Sequence, residues 1–101
     1  MSKVSMMGTI KCHDGKGDEM QTVLSRMVAA AENEPGVEIY SYSRGADDTF
    51  HFFALMTDQD SMAGHGQSEA MQAAMADFRP LMAEPPQMSP STPFAALGFE
   101  I

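Results

Sequence analysis

Basic residues are scarce in this chain, and cysteine is nearly absent. The six basic side chains, Lys3, Lys11, Lys16, Arg26, Arg44 and Arg79, are scattered among fourteen acidic ones, for a formal net charge of −8. Nucleic acids and anionic membrane surfaces are held by clustered Lys and Arg, so neither is an expected partner. Cys12 is the only cysteine, which excludes an internal disulfide and fits a reducing compartment. No apolar run approaches the roughly 20 residues of a membrane span. The opening MSKVSMM has no apolar stretch of the signal-peptide kind, so the expected location is the cytoplasm. A glycine-rich phosphate loop is missing too, since Gly15-Lys16-Gly17 is too short for one, as are a paired-acid constellation and a nucleophile motif. No organic cofactor is indicated. Cys12, His13 and the methionines offer soft ligands for copper(I) but have no tight ligand spacing, so no metal is expected either.

What is present suffices for one domain. A hydrophobic share of 44% over 101 residues can fill a single core and leaves no length for a second. Val4 to Cys12 alternates with period two, with Val4, Met6, Gly8 and Ile10 on one face, which predicts a strand. The turn-rich run His13 to Asp18 predicts the start of a helix, with an aspartate as cap. Met20, Val23, Leu24, Met27, Val28 and Ala31 then recur at helical spacing until Glu34-Pro35-Gly36 ends the pattern. Val37 to Ser43 reads as a second strand, with Tyr40 and Tyr42 on one face, and Arg44 to Asp48 as a turn. Phe50 to Thr57 reads as a third strand, apolar on both faces. Asp58 and Ser68 are placed to cap a short helix and a longer one carrying Met71, Ala74, Met75, Phe78 and Met82, which Pro80 kinks or ends. Residues 84–93, with four prolines, read as an extended connection to a last strand over Phe94 to Ile101.

The order β-α-β-β-α-α-β predicts an α+β fold, a ferredoxin-like four-stranded antiparallel sheet with helices on one face. The opposite face would carry Phe53, Leu55, Leu97 and Phe99. Apolar patches of several hundred Å² are rarely left in water, so a homodimer through the sheet face is expected.

Glu34-Pro35-Gly36, Val37 through Tyr40, Phe50-His51-Phe52-Phe53 ending at Asp58, and Ser61-Met62-Ala63-Gly64-His65 with Ser68 together resemble the core signature of the antibiotic biosynthesis monooxygenase domain family. The resemblance runs from about Val4 to Ala83. It implies a dimeric α+β barrel with a pocket in each subunit between helices and sheet. Characterised members of that family include cofactor-independent oxygenases of polyphenols and quinols, and haem-degrading enzymes. The chain departs from the pattern at Ala54 and Met56, where many members carry Glu and Trp. By spacing, the Asn, Trp and His that the haem-degrading branch uses fall at about Gly8, Met56 and Met75. Haem degradation is therefore not expected.

His65 stands where the family commonly keeps a histidine, which implies a general base with a pKa suited to a phenol or hydroquinone. Its ordinary alternative is a histidine that ties the short helix to its neighbour. Tyr40 and Tyr42 can present hydroxyls to a ligand, or can pack as amphipathic strand residues with a wet tip. Met56, Met75 and Phe78, with Met6, Met62 and Met71, can form a pliable wall for a flat apolar molecule, or fill a core as methionines often do. His51 is expected to face the dimer interface and His13 the solvent. The functional expectation is a cofactor-independent monooxygenase acting on a small aromatic, a quinol or polyphenol. The alternative is a non-catalytic ligand-binding or regulatory dimer of the same fold.

Overall fold

Alternating and helical periodicities in the sequence become β1 (Val4–Lys11), α1 (Gly17–Ala31), β2 (Val37–Arg44), β3 (Thr49–Met56), α2 (Gln59–Gly64), α3 (Glu69–Phe78) and β4 (Gln87–Ser91). These come from a computed structural model that describes residues 3–64 and 67–101, apart from the side chains of 62–64. The expectations for His65 and for the Met62 side chain lie outside the described residues. The strands form one antiparallel sheet in the order β2-β3-β1-β4, the ferredoxin-like arrangement. Among the described residues no helix is long and apolar enough to cross a membrane.

Local chemistry sets the element ends. No side chain caps α1, contrary to the aspartate cap expected there. Asp18 and Glu19 instead lie in its first turn, where negative charge suits the positive end of the helix dipole. Gly36 follows the helix at φ +81°, and a Cβ there would run into the Ser61 side chain, so both conformation and space call for glycine. Asp58 accepts from the Ser61 N–H at 2.8 Å, and Ser68 from the Met71 N–H at 3.1 Å, which are the two expected caps. Pro80 falls in a 3₁₀ turn, Arg79–Leu81, that follows α3 directly.

The core lies between one sheet face and the helices. Ile10, Phe50 and Phe52 meet Met20, Leu24 and Met27 of α1 and Met71, Ala74 and Phe78 of α3, all buried. Each such large side chain contributes roughly 1.5–3 kcal/mol of burial.

Two expectations fail on the other face. No strand forms over Phe94 to Ile101; β4 is Gln87–Ser91, inside the proline-rich run that read as a connection. Its place explains this. β4 is an edge strand whose Pro90 stands opposite Met6, and an edge tolerates a residue with no N–H to donate. With that edge of β1 taken, the remaining tail crosses back over the outer face. There the Phe99 ring lies 6.1 Å from that of Phe53, and the Glu100 carbonyl accepts from Lys3 Nζ. The second failure concerns Leu55, expected to await a partner subunit: it is 0% exposed in the single chain. Met7 remains exposed on that side, as do Phe94 and Leu97 of the tail.

Candidate functional site

The period of two along β2 puts Tyr40, Tyr42 and Arg44 in one row facing α1, with Tyr40 opposite Ala54 and Tyr42 opposite Phe52. Between this row and α1 lies a cleft of about 510 Å³, within the usual range for small-molecule sites. Leu24, Val28 and Phe50 supply apolar wall; Gln21, Ser25, Tyr40, Tyr42 and Arg44 supply polar groups. The β2 segment at Ser41 and Ser43 forms one side, and β2 is the free edge of the sheet on that side.

The tyrosines act as a pair. Their hydroxyl oxygens are 2.6 Å apart, with one donating to the other, and their rings are tilted with centroids 5.2 Å apart. The Tyr42 ring also meets Phe52, at 5.9 Å. Burial, foremost, pushes both phenols above the ordinary tyrosine pKa, and most strongly Tyr42, which the neighbouring Tyr40 raises further. A desolvated phenolate has too little to stabilise it. The pair therefore stays protonated at neutral pH, which suits it to donating a hydrogen bond and not to taking up a proton.

Arg44 closes one end of the row. Its guanidinium lies 5.5 Å over the Phe50 ring, a favourable cation–π arrangement. Its Nε donates to Asp48 Oδ1, and its Nη1 donates to Asp18 Oδ1 and Gln21 Oε1, each at 2.9 Å. The hydrogen bonds it donates to Asp18 and Asp48 hold its pKa above the ordinary arginine value. The sequence signal for Arg44 as a cleft residue is the same alternation that pairs the tyrosines; its neighbours Gly45 to Asp48 make it read as part of a turn. Leu24, Val28 and Phe50 read as core from their periodicity, and Gln21 and Ser25 have no distinguishing signal.

The other expected pocket residues lie elsewhere. Met56 and Phe78 are buried, Met75 packs half-buried against the core, and none of the three lines the cleft. Another depression, of about 600 Å³, lies on the outer face with His51, Phe53, Met7 and Met88 among its walls. It has no polar pair comparable with the tyrosines. Among the described residues no group of three or more His, Cys, Asp or Glu could hold a metal ion.

Residues 3–77 match the sequence model of the antibiotic biosynthesis monooxygenases. The chain belongs to this family. A Caulobacter crescentus CB15 protein provisionally described as an antibiotic biosynthesis monooxygenase superposes with a TM-score of 0.85 at 24% identity, over 93% of this chain and 92% of that one. SnoaB, a cofactor-independent oxygenase from Streptomyces nogalater, gives 0.82 at 19% identity, over 98% and 100%. Rv0793 from Mycobacterium tuberculosis gives 0.83 at 17%, over 94% and 98%. At these identities the likeness carries the fold alone. No curated protein matches the chain.

As an antibiotic biosynthesis monooxygenase family member, the chain is a poor host for haem. By spacing, Gly8 falls at about the position of the haem-degrading branch's Asn, and a Cβ at Gly8 would lie 2.7 Å from the Phe52 ring and would also strike the Gln87 carbonyl. The Phe52 ring thus fills the space that a polar side chain would need. Met56 is 1% exposed within the interior, and Met75 offers a thioether in place of an imidazole. These residues do not fit the group.

Proposed function

We propose that the protein is a cofactor-independent monooxygenase that oxidises a small electron-rich aromatic, of the quinol or polyphenol class, with dioxygen. The observation that supports this most is the protonated Tyr40–Tyr42 pair set in a cleft with apolar walls. Such chemistry needs a base to form the substrate anion, a donor to stabilise its oxygen, and shelter from water. Deprotonated, the substrate itself reduces dioxygen. A ring C–H becomes a quinone carbonyl, one oxygen atom stays in the product, and the other leaves as water with two substrate hydrogens. All four electrons come from the substrate, so no external reductant is required. The pair would donate to the developing oxyanion.

The proposed base is His65. Oxygen uptake with a dihydroxynaphthalene should rise as pH passes the ordinary histidine pKa of about 6.5, without added metal or flavin. His65→Ala should lower the rate by about 10²-fold or more, the usual scale for a positioned acid or base. Denaturation midpoints are to be measured alongside. Unchanged turnover in a folded variant removes the residue from the mechanism. An absence of turnover over a broad panel of phenols favours the ligand-binding reading of the same cleft.

The partner proposed for the outer sheet face is a second copy of the chain. Met7, Phe94 and Leu97 are exposed there, and a patch of this kind is costly in water. Sedimentation at micromolar concentration should show a dimer, and Met7→Asp should shift it toward monomer without loss of helicity. A monomeric wild type would refute the proposal.

A further inference from the structure

The charges around the cleft restrict what it can hold. Arg44 is the only cation among the described residues that line it, and a lone guanidinium would ordinarily mark a site for a carboxylate. Here most of that capacity is already occupied. A guanidinium has five N–H donors. Nε and Nη2 both reach Asp48 Oδ1, at 2.9 and 2.7 Å, and the two Nη1 hydrogens go to Asp18 and Gln21. One donor is left over. In charge, one guanidinium faces two carboxylates, so the rim is net negative.

No second cation among the described residues lines the cleft, and the whole chain carries −8. The groups facing the interior of the cleft are uncharged. Besides the tyrosine pair there is Ser25, whose hydroxyl donates to the Gln21 carbonyl at 2.8 Å and so offers its oxygen as an acceptor. These groups match hydroxyl and carbonyl oxygens.

We propose that the cleft takes an uncharged hydroxylated aromatic and rejects the same ring system bearing a carboxylate, with Asp18 and Asp48 setting this specificity by engaging Arg44 and outweighing its charge. This rests on the reading of the cleft as the substrate site. Its consequence for the reaction is that the substrate enters protonated and becomes an anion only inside, against the tyrosine hydroxyls. An anion formed in place does not have to cross the negative rim.

Calorimetric titration of the intact protein under anaerobic conditions with 1-naphthol and with 1-hydroxy-2-naphthoate tests this. The naphthol should bind tighter by about tenfold or more, since like-charge juxtaposition is the penalty being read, and the gap should narrow as salt screens the rim. Asp18→Asn and Asp48→Asn should each narrow it by strengthening binding of the carboxylate. Asp18 is almost fully exposed, so its replacement leaves the fold intact. Equal or tighter binding of the carboxylate by the wild type, a gap unchanged in both variants, or binding of neither probe would overturn the proposal. If the naphthol preference holds but no dihydroxynaphthalene is oxidised, the selectivity stands and the oxygenase reading falls. If neutral and carboxylated quinols are turned over with equal efficiency, the oxygenase reading stands and the selectivity falls.

Discussion

Tyr42→Phe should keep its fold and lose oxygen uptake by about 10²-fold or more, the scale found when one donor to a developing oxyanion is removed. The phenyl ring that remains still packs against Phe52, so the cleft keeps its shape. Losing the hydroxyl removes the 2.6 Å hydrogen bond with Tyr40, at a stability cost of about 0.5–1.5 kcal/mol. Loss of activity should therefore exceed anything that partial unfolding explains at room temperature. A second readout separates the roles. Because burial raises the Tyr42 pKa, the folded chain keeps its phenol proton above about pH 10, where an unfolded tyrosine loses its own. The unfolded state then binds fewer protons, so stability is full below about pH 10 and falls as pH rises beyond it. Denaturant midpoints followed into the alkaline range should fall more steeply for the wild type than for Tyr42→Phe. Equal slopes would mean that the Tyr42 hydroxyl is more hydrated than its surroundings imply, and full activity in the variant would remove it from oxyanion stabilisation.

Leu55→Asp should unfold the chain rather than merely separate a dimer. Leu55 is wholly buried and stands in register with Ser5 and Ile39, and Ser5 is itself buried and bonded to the Ser91 carbonyl. Emptying such a site costs about 2–5 kcal/mol for Leu→Ala, and an unpaired carboxylate in the same place adds a desolvation cost. Against a total stability of about 5–15 kcal/mol for an ordinary domain, little of the folded state should survive. Circular dichroism and a urea titration would read this directly. A folded, monomeric Leu55→Asp protein would instead place the residue in a subunit interface, as its alternation along β3 alone implies.

That contrast marks where the sequence is informative. Alternation in Val4 to Cys12 and in Phe50 to Thr57, helical spacing from Met20 to Ala31, and the Asp58 and Ser68 caps are local features, and they set the strands and helices of the first three-quarters of the chain. The last strand is not legible because its pairing is not a property of its own residues. Gln87-Met88-Ser89-Pro90-Ser91 has little apolar alternation, and it becomes a strand because β1 offers an open edge. Phe94 to Ile101 has the apolar residues of a strand, but the β1 edge that a last strand would join is already taken by Gln87–Ser91. Leu55 follows the same logic, since its burial depends on what the folded chain packs around it and not on its place in the alternation.

The site is half legible. Tyr40 and Tyr42 share a face by their spacing, and the structure brings their hydroxyls into contact. Arg44 belongs to the same row and is hidden by the turn after it. Met56 and Phe78 carry the expected apolar character but spend it on the core, where both are buried. A methionine stripe at helical spacing does not distinguish a pocket wall from a packed interior.

The most direct test of the central claim is isotopic. The purified wild-type protein, with chelator present and no flavin or nicotinamide added, is given a dihydroxynaphthalene under ¹⁸O-labelled dioxygen. Product and water are then analysed by mass spectrometry. The account predicts oxygen uptake above the autoxidation rate of the buffer, one labelled atom in the quinone product, the other in water, and one dioxygen consumed for each substrate. An unlabelled product with stoichiometric hydrogen peroxide, or no uptake at all from a protein that binds the ligand in the Tyr40–Tyr42 cleft, would contradict it.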